Sequence, residues 1–220
     1  DVYEIACTKP EGLAFQAGQF VLFDVPLLEN PEDIQPRAYS IASAPHEAEL
    51  LFIIKLVPGG RASRWIAERL KPGDDIRIQG PFGAFVLHPE REREYLLVGT
   101  GTGIAPYRSH ILDLQEKKFA GRIDLIFGVR RETDLFWAEE FQRLAQQYEP
   151  FFLHLALTDA TPAWTGHRGR VQSLLPLIAK DLSGKSVYVC GSPPMVADLK
   201  KLCREDWGIP KENFHAEAYV

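Results

Sequence analysis

The spacing of apolar and polar residues changes rhythm along the chain. Up to residue 87, short alternating or apolar runs at 2–7, 19–25, 38–43, 50–57 and 75–79 are set off by Gly and Pro. Runs of that length with that punctuation predict the strands of an antiparallel β-barrel. One stretch differs: residues 62–70 place Trp65, Ile66 and Leu70 on one face and Arg64, Glu68 and Arg69 largely elsewhere, which predicts a helix. From Tyr95 onward strands alternate with helices. Strands are expected at 95–99, 123–129, 151–157 and 186–190, and helices at 106–118, 136–148, 171–179 and 194–205. That alternation predicts a parallel α/β sheet with helices on both faces, and such sheets bind ligands at the carboxyl ends of their strands. A final edge strand is expected within 214–219, bringing Glu217 and Tyr219 into the sheet.

Between the two rhythms lies Glu90-Arg91-Glu92-Arg93-Glu94, a mixed charge run without apolar content that reads as a solvated connector. The expected domains are therefore 1–92 and 93–220. With 45% hydrophobic and 25% charged residues, 220 residues suffice for one large or two modest cores. A net charge of -5, with both signs mixed along the chain, argues against a nucleic-acid partner, which requires a basic face. The longest apolar run, 50–57, is broken by Lys55 and falls short of the roughly 20 residues of a membrane span. Asp1 to Glu4 do not resemble a secretory signal, and the only Met is Met195, so residues before Asp1 remain open. Cys7, Cys190 and Cys203 form no CxxC pair and are too few for a four-Cys metal site; a sparse, odd count suits a reducing cytoplasm.

Four short motifs carry the chemistry. Arg37-Ala38-Tyr39-Ser40 gives one strand a guanidinium, a ring and a hydroxyl, with Arg37 and Tyr39 on one face; alone it also reads as an ordinary half-buried strand. Gly59-Gly60-Arg61-Ala62-Ser63 precedes the first helix, either as a second set of free N–H groups beside a cation or as a turn with an N-cap serine. Gly99-Thr100-Gly101-Thr102-Gly103-Ile104-Ala105-Pro106 follows an apolar strand and opens a helix, with Pro106 where the first turn tolerates a missing N–H. Its spacing is not GxGxxG, and a Gly-rich turn alone is a weak sign of phosphate binding. Val189-Cys190-Gly191-Ser192-Pro193-Pro194 ends another strand in a thiol at the ligand edge, though a single buried Cys is by default structural.

Taken in order and across essentially the whole chain, these motifs resemble the ferredoxin–NADP reductase superfamily, with its flavodoxin reductase, cytochrome b5 reductase and oxygenase-reductase relatives. The resemblance implies an antiparallel β-barrel flavin domain followed by a Rossmann-like nicotinamide-binding domain. It implies an NAD(P)H-dependent flavoprotein that moves a hydride between the nicotinamide and FAD, and single electrons to or from ferredoxin or flavodoxin. The alternative it implies is a reductase module of a larger iron–sulfur or oxygenase complex. Arg37 would then pair with the flavin pyrophosphate, Tyr39 pack on the ring system or ribityl and Ser40 meet N5, while Gly60, Arg61, Ala62 and Ser63 hold the pyrophosphate. Gly101, Thr102 and Gly103 would receive NADH or NADPH, with Cys190 against the nicotinamide. The Glu217-Ala218-Tyr219 ending resembles the family's Glu-x-Tyr, in which the ring covers the flavin; Val220 is a departure, since plant-type members stop at the Tyr. Thr158-Asp159 stands where binders of the 2′-phosphate often have Ser and Arg, which leans to NADH, while Arg130 and Arg131 could clamp a phosphate. Arg61, Arg64, Arg69 and Lys71 are a candidate basic rim for an acidic ferredoxin, or a solvated helix surface.

Overall fold

The computed structural model describes residues 2–89, 91, 94–179, 182 and 184–219. Glu90, Glu92 and Arg93 of the charge run lie outside the described residues, as does Val220 with the departure expected there. The chain divides into two compact units, residues 1–86 with 108–113, and residues 87–107 with 114–220.

In the first unit, alternation sets the strands. β1 (Val2–Thr8) pairs antiparallel with a strand further along the chain, and β2 (Phe20–Leu27) sends Val21, Phe23 and Val25 fully inward, the period of two of a half-buried strand. β2 lies between β3 (Asn30–Ser40) and the later β5, and the partner of β1 is β4 (Glu49–Lys55). α1 (Arg61–Glu68) buries Ala62, Trp65 and Ile66, the i, i+3, i+4 stripe of an amphipathic helix. β5 (Ile78–Phe82) completes a three-stranded antiparallel sheet in the order β3-β2-β5, beside the two-stranded sheet β1-β4. One core joins them, with Phe23 edge-on to Phe52 at 4.9 Å. Burying each such ring contributes roughly 1.5–3 kcal/mol.

Two strands depart from the sequence expectation. β3 runs from Asn30 to Ser40 and not over 38–43: as a sheet-edge strand it exposes most of residues 30–38, so it carries no apolar alternation to find. Ile41, Ala42 and Ala44, apolar enough to look like strand, are buried beyond its end. β5 lies at 78–82 rather than 75–79, because Gly80-Pro81 is inside a strand at the sheet edge, where a missing N–H is tolerated.

The second unit is a parallel sheet. β6 (Glu94–Thr100) leads through a short 3-10 turn, Gly101–Ile104, into α2 (Ala105–Glu116), whose residues 108–113 group with the first unit. β7 (Ile123–Val129), α3 (Ala138–Gln147), β8 (Phe151–Leu157), β9 (His167–Arg168) and α4 (Val171–Ile178) follow. Then come β10 (Lys185–Gly191), α5 (Pro193–Lys200), which continues as one wider turn over Lys201–Asp206, and β11 (Phe214–Ala218). The strand order is β11-β10-β6-β7-β8-β9, all parallel. β6, β7 and β10 are buried almost throughout, as strands covered on both faces are. The two-residue β9 is too short to leave a sequence signal, and α3 starts later than expected because Trp137, at φ 52°, stands in left-handed backbone before it.

From β6 the chain builds outward to β7, β8 and β9, then returns to place β10 on the other side of β6. That reversal makes the carboxyl ends of β6 and β10 the switch point at which open α/β sheets bind ligands. At the opposite ends of the strands a charge cluster surrounds Asp124, 3% exposed: Arg122 donates to it at 2.7 and 2.8 Å, and His154 Nε2 lies 3.0 Å away. Lys185 Nζ is 3.9 Å from Asp124 and donates to Glu94. Among the described residues, no helix is long and apolar enough to cross a membrane.

Candidate functional site

In the first unit, the β2–β3 ladder pairs Phe23 with Arg37, Val21 with Tyr39 and Phe20 with Ser40. Alternation therefore gives Arg37 and Tyr39 one face and Ser40 the other. Tyr39 packs edge-on against Phe23 at 4.8 Å, and burial pushes its phenol up to about 12, so the ring keeps its proton at physiological pH. Ser40 is buried. Arg37 is exposed, with Nη1 donating to Pro36 O and Nη2 to Gln35 Oε1, both 2.8 Å and both within its own strand. An arriving phosphate has only these local bonds to replace.

The start of α1 is built differently from either sequence reading. Gly60 is the N-cap, no side chain caps the first turn, and no acid stands in it. Ser63 is inside the helix and accepts from the Val57 N–H at 2.7 Å, so it is not the N-cap. Arg61 forks onto Asp33, donating from Nη1 to Oδ1 at 3.1 Å and from Nη2 to Oδ2 at 3.0 Å, and it also reaches Asp33 O. Its guanidinium thus pins the helix start to β3, and Arg61 offers an anion its backbone N–H. Arg64 is likewise engaged, by Glu29 at 2.8 Å and Glu68 at 3.3 Å, which neutralises much of the expected basic rim. An uncapped, acid-free helix start and a separate exposed guanidinium are the donors a pyrophosphate requires, and the residues present fit FAD.

In the second unit, the turn after β6 and the end of β10 meet at the switch point. A Cβ on Gly103 would lie 2.4 Å from Cys190 O, and one on Gly191 would lie 2.3 Å from Thr100 Oγ1. Only glycine allows these backbones to approach so closely. Gly101, at φ 55°, faces open space. Cys190 is fully buried and pairs with Glu217 across the β10–β11 ladder, and the Tyr219 N–H donates to Gly191 O at 2.9 Å. Burial, with the Glu217 charge adding, pushes the Cys190 thiol well up, against a smaller opposing hydrogen bond from Tyr219. Cys190, Glu217 and Tyr219, far apart in sequence or only loosely patterned, are thus one cluster beside the Gly101–Gly103 turn. Such a cluster offers a dinucleotide open backbone amides, a neutral thiol and one carboxylate.

At the ends of β7 and β8, groups that competed in the sequence reading are partners. Arg131 Nε donates to Asp159 Oδ2 at 2.9 Å, Arg130 Nε lies 3.6 Å from the same oxygen, and the Asp159 N–H donates to Arg130 O. The Arg131 hydrogen bond and charge hold the Asp159 carboxyl below its usual range.

A model of the oxidoreductase FAD-binding domain matches residues 2–87, and a model of the oxidoreductase NAD-binding domain matches residues 97–201. Ferredoxin–NADP reductase B of Sorangium cellulosum is 34% identical over 227 residues, covering 99% of this chain and 91% of its own. The chain belongs to the ferredoxin–NADP reductase family. It is an NAD(P)H-dependent flavoprotein reductase. The reductase is also 33% identical to the ferredoxin–NAD(P)(+) reductase component of a naphthalene dioxygenase/salicylate hydroxylase system from Ralstonia sp, spanning 65% of that protein's length. The Amycolatopsis cytochrome P450 reductase GcoB superposes with a TM-score of 0.86 at 28% identity, over 99% of this chain and 65% of that one.

Two residues at the start of α2 escaped the sequence reading. Tyr107 is fully buried and donates its hydroxyl to Val98 O at 3.0 Å; a Cβ on Gly99 would come within 3.0 Å of its ring. Arg108 is only 8% exposed. A charged residue between Tyr107 and Ser109, on a helix that is buried from Ala105 to Ile111, was the available signal.

Proposed function

We propose that residues 1–92 hold FAD, that residues 93–220 receive a nicotinamide dinucleotide, and that the reductase delivers single electrons to a ferredoxin, flavodoxin or associated iron–sulfur component. When bound, FAD supplies the conversion between a hydride and single electrons. Arg37 and the amides of Gly60, Arg61, Ala62 and Ser63 hold the pyrophosphate, Tyr39 packs along the ring system, and Ser40 hydrogen-bonds near N5. Gly101, Thr102 and Gly103 receive the dinucleotide. Cys190 lines the nicotinamide's place as a neutral thiol, shaping it without acting as a nucleophile. Glu217 steadies the charge that develops beside it, and Tyr219 covers the flavin until the nicotinamide arrives.

The observation that carries this reading is the meeting of the Gly103 turn, Cys190 and Glu217 at the β6–β10 switch point. NADH is the favoured donor, because Asp159 occupies Arg131 and presents a carboxylate where a 2′-phosphate would sit. Free thiols at Cys7, Cys190 and Cys203 suit a reducing cytoplasmic setting. Stopped-flow reduction of the FAD-loaded protein by NADH and by NADPH, followed by turnover with a panel of protein acceptors, tests the reading. Failure of both nucleotides to bleach the bound flavin sinks it.

A second reading has its own support. The chain spans 60–65% of several oxygenase reductase components it matches, which suits a reductase module working within a larger chain or complex. The mass of the native polypeptide and its co-purifying subunits separate the two.

A further inference from the structure

The backbone just past Ser40 is held in an unusual way. Ile41 and Ala42 donate their N–H groups to Gln19 O and Leu51 O, at 3.0 and 2.7 Å, tying the segment to the strands on either side. The carbonyls of Ala42 and Ser43 lie beyond the ladder in a fully buried stretch, where a polar group without a partner is costly. Both are met by α2 residues that group with the first unit: Arg108 Nη1 donates to Ala42 O at 3.1 Å, and Ser109 Oγ to Ser43 O at 2.7 Å. Arg108 also forks onto Glu47, Nη1 to Oε2 at 2.9 Å and Nη2 to Oε1 at 3.1 Å. Glu47 in turn accepts the Ala44 N–H at 2.6 Å. One guanidinium thereby closes a ring through Ala42, Ala44 and Glu47, fixing residues 42–47 by a planar fork that lysine cannot reproduce. Burial pushes the Glu47 carboxyl up, but the bonds from Arg108 and Ala44 outweigh it and the carboxyl stays below its usual range.

We infer that Arg108, through its fork on Glu47 and Ala42, is a positioning residue that sets where the Arg37 to Ser40 end of β3 stands against the flavin. The inference rests on the proposal that this strand end faces FAD. Arg108 touches no reacting atom. It acts by removing the slack from residues 41–47, so that the Ser40 hydroxyl is presented in one place.

The test is a double-mutant cycle on the full chain, using Ser40→Ala, Arg108→Lys and the two together, with Glu47→Gln as a second way to open the fork. The readouts are FAD affinity by titration of apoprotein, the visible spectrum of the bound flavin, and hydrogen exchange at the Ala44 amide. The expected result is that Arg108→Lys and Glu47→Gln each weaken FAD binding about tenfold, shift the spectrum in the same sense as Ser40→Ala, and speed Ala44 exchange. Adding Ser40→Ala to Arg108→Lys then costs less than the two single changes combined, as residues sharing one task do. If Ser40→Ala moves the spectrum while Arg108→Lys and Glu47→Gln leave spectrum and affinity alone, or the changes add in full, Arg108 is a structural ion pair and the inference is overturned. If Ser40→Ala is silent while both fork variants still loosen FAD, the role proposed for Ser40 falls and the positioning by Arg108 stands. Silence from all of them overturns both.

Discussion

Gly103 approaches Cys190 so closely that one added methyl group would lie 2.4 Å from the Cys190 carbonyl oxygen and 2.7 Å from its carbonyl carbon. Both obstacles are backbone of a central strand, so neither can swing aside. Gly103→Ala must push the turn off β10, an overpacking that costs roughly 1–3 kcal/mol. At about 2–4 °C per kcal/mol for a chain of this size, the expected fall in Tm is about 2–12 °C. Calorimetry checks the stability loss and stopped-flow the accompanying loss in reduction by NAD(P)H. A variant as stable and as fast as wild type would mean the turn can relax away from β10 freely.

Asp124 gives a prediction in pH. Burial works against its charge, but hydrogen bonds from His154 and Arg122 outweigh this and bring the carboxyl down to about 2. A depressed carboxylate stabilises the fold at pH values above its unfolded pKa, near 3.9, and that stability is lost as pH falls through about 2. The difference is worth about 2 kcal/mol. Asp124→Asn is therefore expected to melt lower than wild type at pH 6, with the gap closing between pH 4 and pH 2. Reduction by NADH at pH 7 is expected to change little, since Asp124 lies at the strand ends remote from the switch point. A gap that stays constant with pH would assign the effect to packing.

The three thiols differ in access. Burial pushes all three thiols up, but Cys7 is only half-buried, whereas Cys190 and Cys203 are fully buried. Thiolate is the reactive form, so a maleimide at pH 7.5 is expected to modify Cys7 first and leave Cys190 intact until the protein unfolds. Peptide mapping after timed quenching reads this directly. Separately, Cys190→Ala is expected to slow flavin reduction severalfold without changing flavin content.

Much of this could be read from residue order alone, and the failures have physical causes. β7 and β8 lie where their largely apolar runs place them; β7 is buried almost throughout and so has no solvent face to blur the signal. β3 departs from the expected 38–43 because an edge strand facing water resembles a loop in sequence. The Gly-rich turn was legible as a turn, but the need for glycine at 103 depends on Cys190, 87 residues further along the chain, and no local pattern carries that. Arg130, Arg131 and Asp159 were legible as a charged group, yet their pairing follows from the register of two parallel strands.

Under the proposed function, that pairing is expected to bias the choice of dinucleotide. In the wild type, Asp159 holds Arg131, and an NADPH phosphate received there would have to compete for it. Asp159→Ser frees the guanidinium and is expected to raise kcat/KM for NADPH relative to NADH by roughly fivefold, the scale of one exposed ion pair. Steady-state ratios with both nucleotides measure it, and a wild type that already prefers NADPH by a clear margin contradicts the lean to NADH.

Tyr219 is expected to behave as a gate. Its backbone is anchored, N–H to Gly191 O; if its ring covers the flavin as proposed, it would have to leave before the nicotinamide could take that place, since both rings favour the same offset contact. Tyr219→Ser should tighten nicotinamide binding and change the flavin spectrum, whereas Glu217→Gln should slow hydride transfer with flavin binding intact. Titration with NAD+ under the spectrophotometer distinguishes them, and an unchanged spectrum and affinity in Tyr219→Ser would remove the gate.

Trp65 packs in the core of the first unit, 9% exposed, while the chain's other three tryptophans, Trp137, Trp164 and Trp207, belong to the second. Indole emission from a variant with those three changed to phenylalanine would therefore come from one unit alone. Compared with backbone ellipticity along a urea gradient, that emission shows whether the two halves melt as a single cooperative block or one after the other, and in rapid dilution it times the closing of the β2–β4–α1 core.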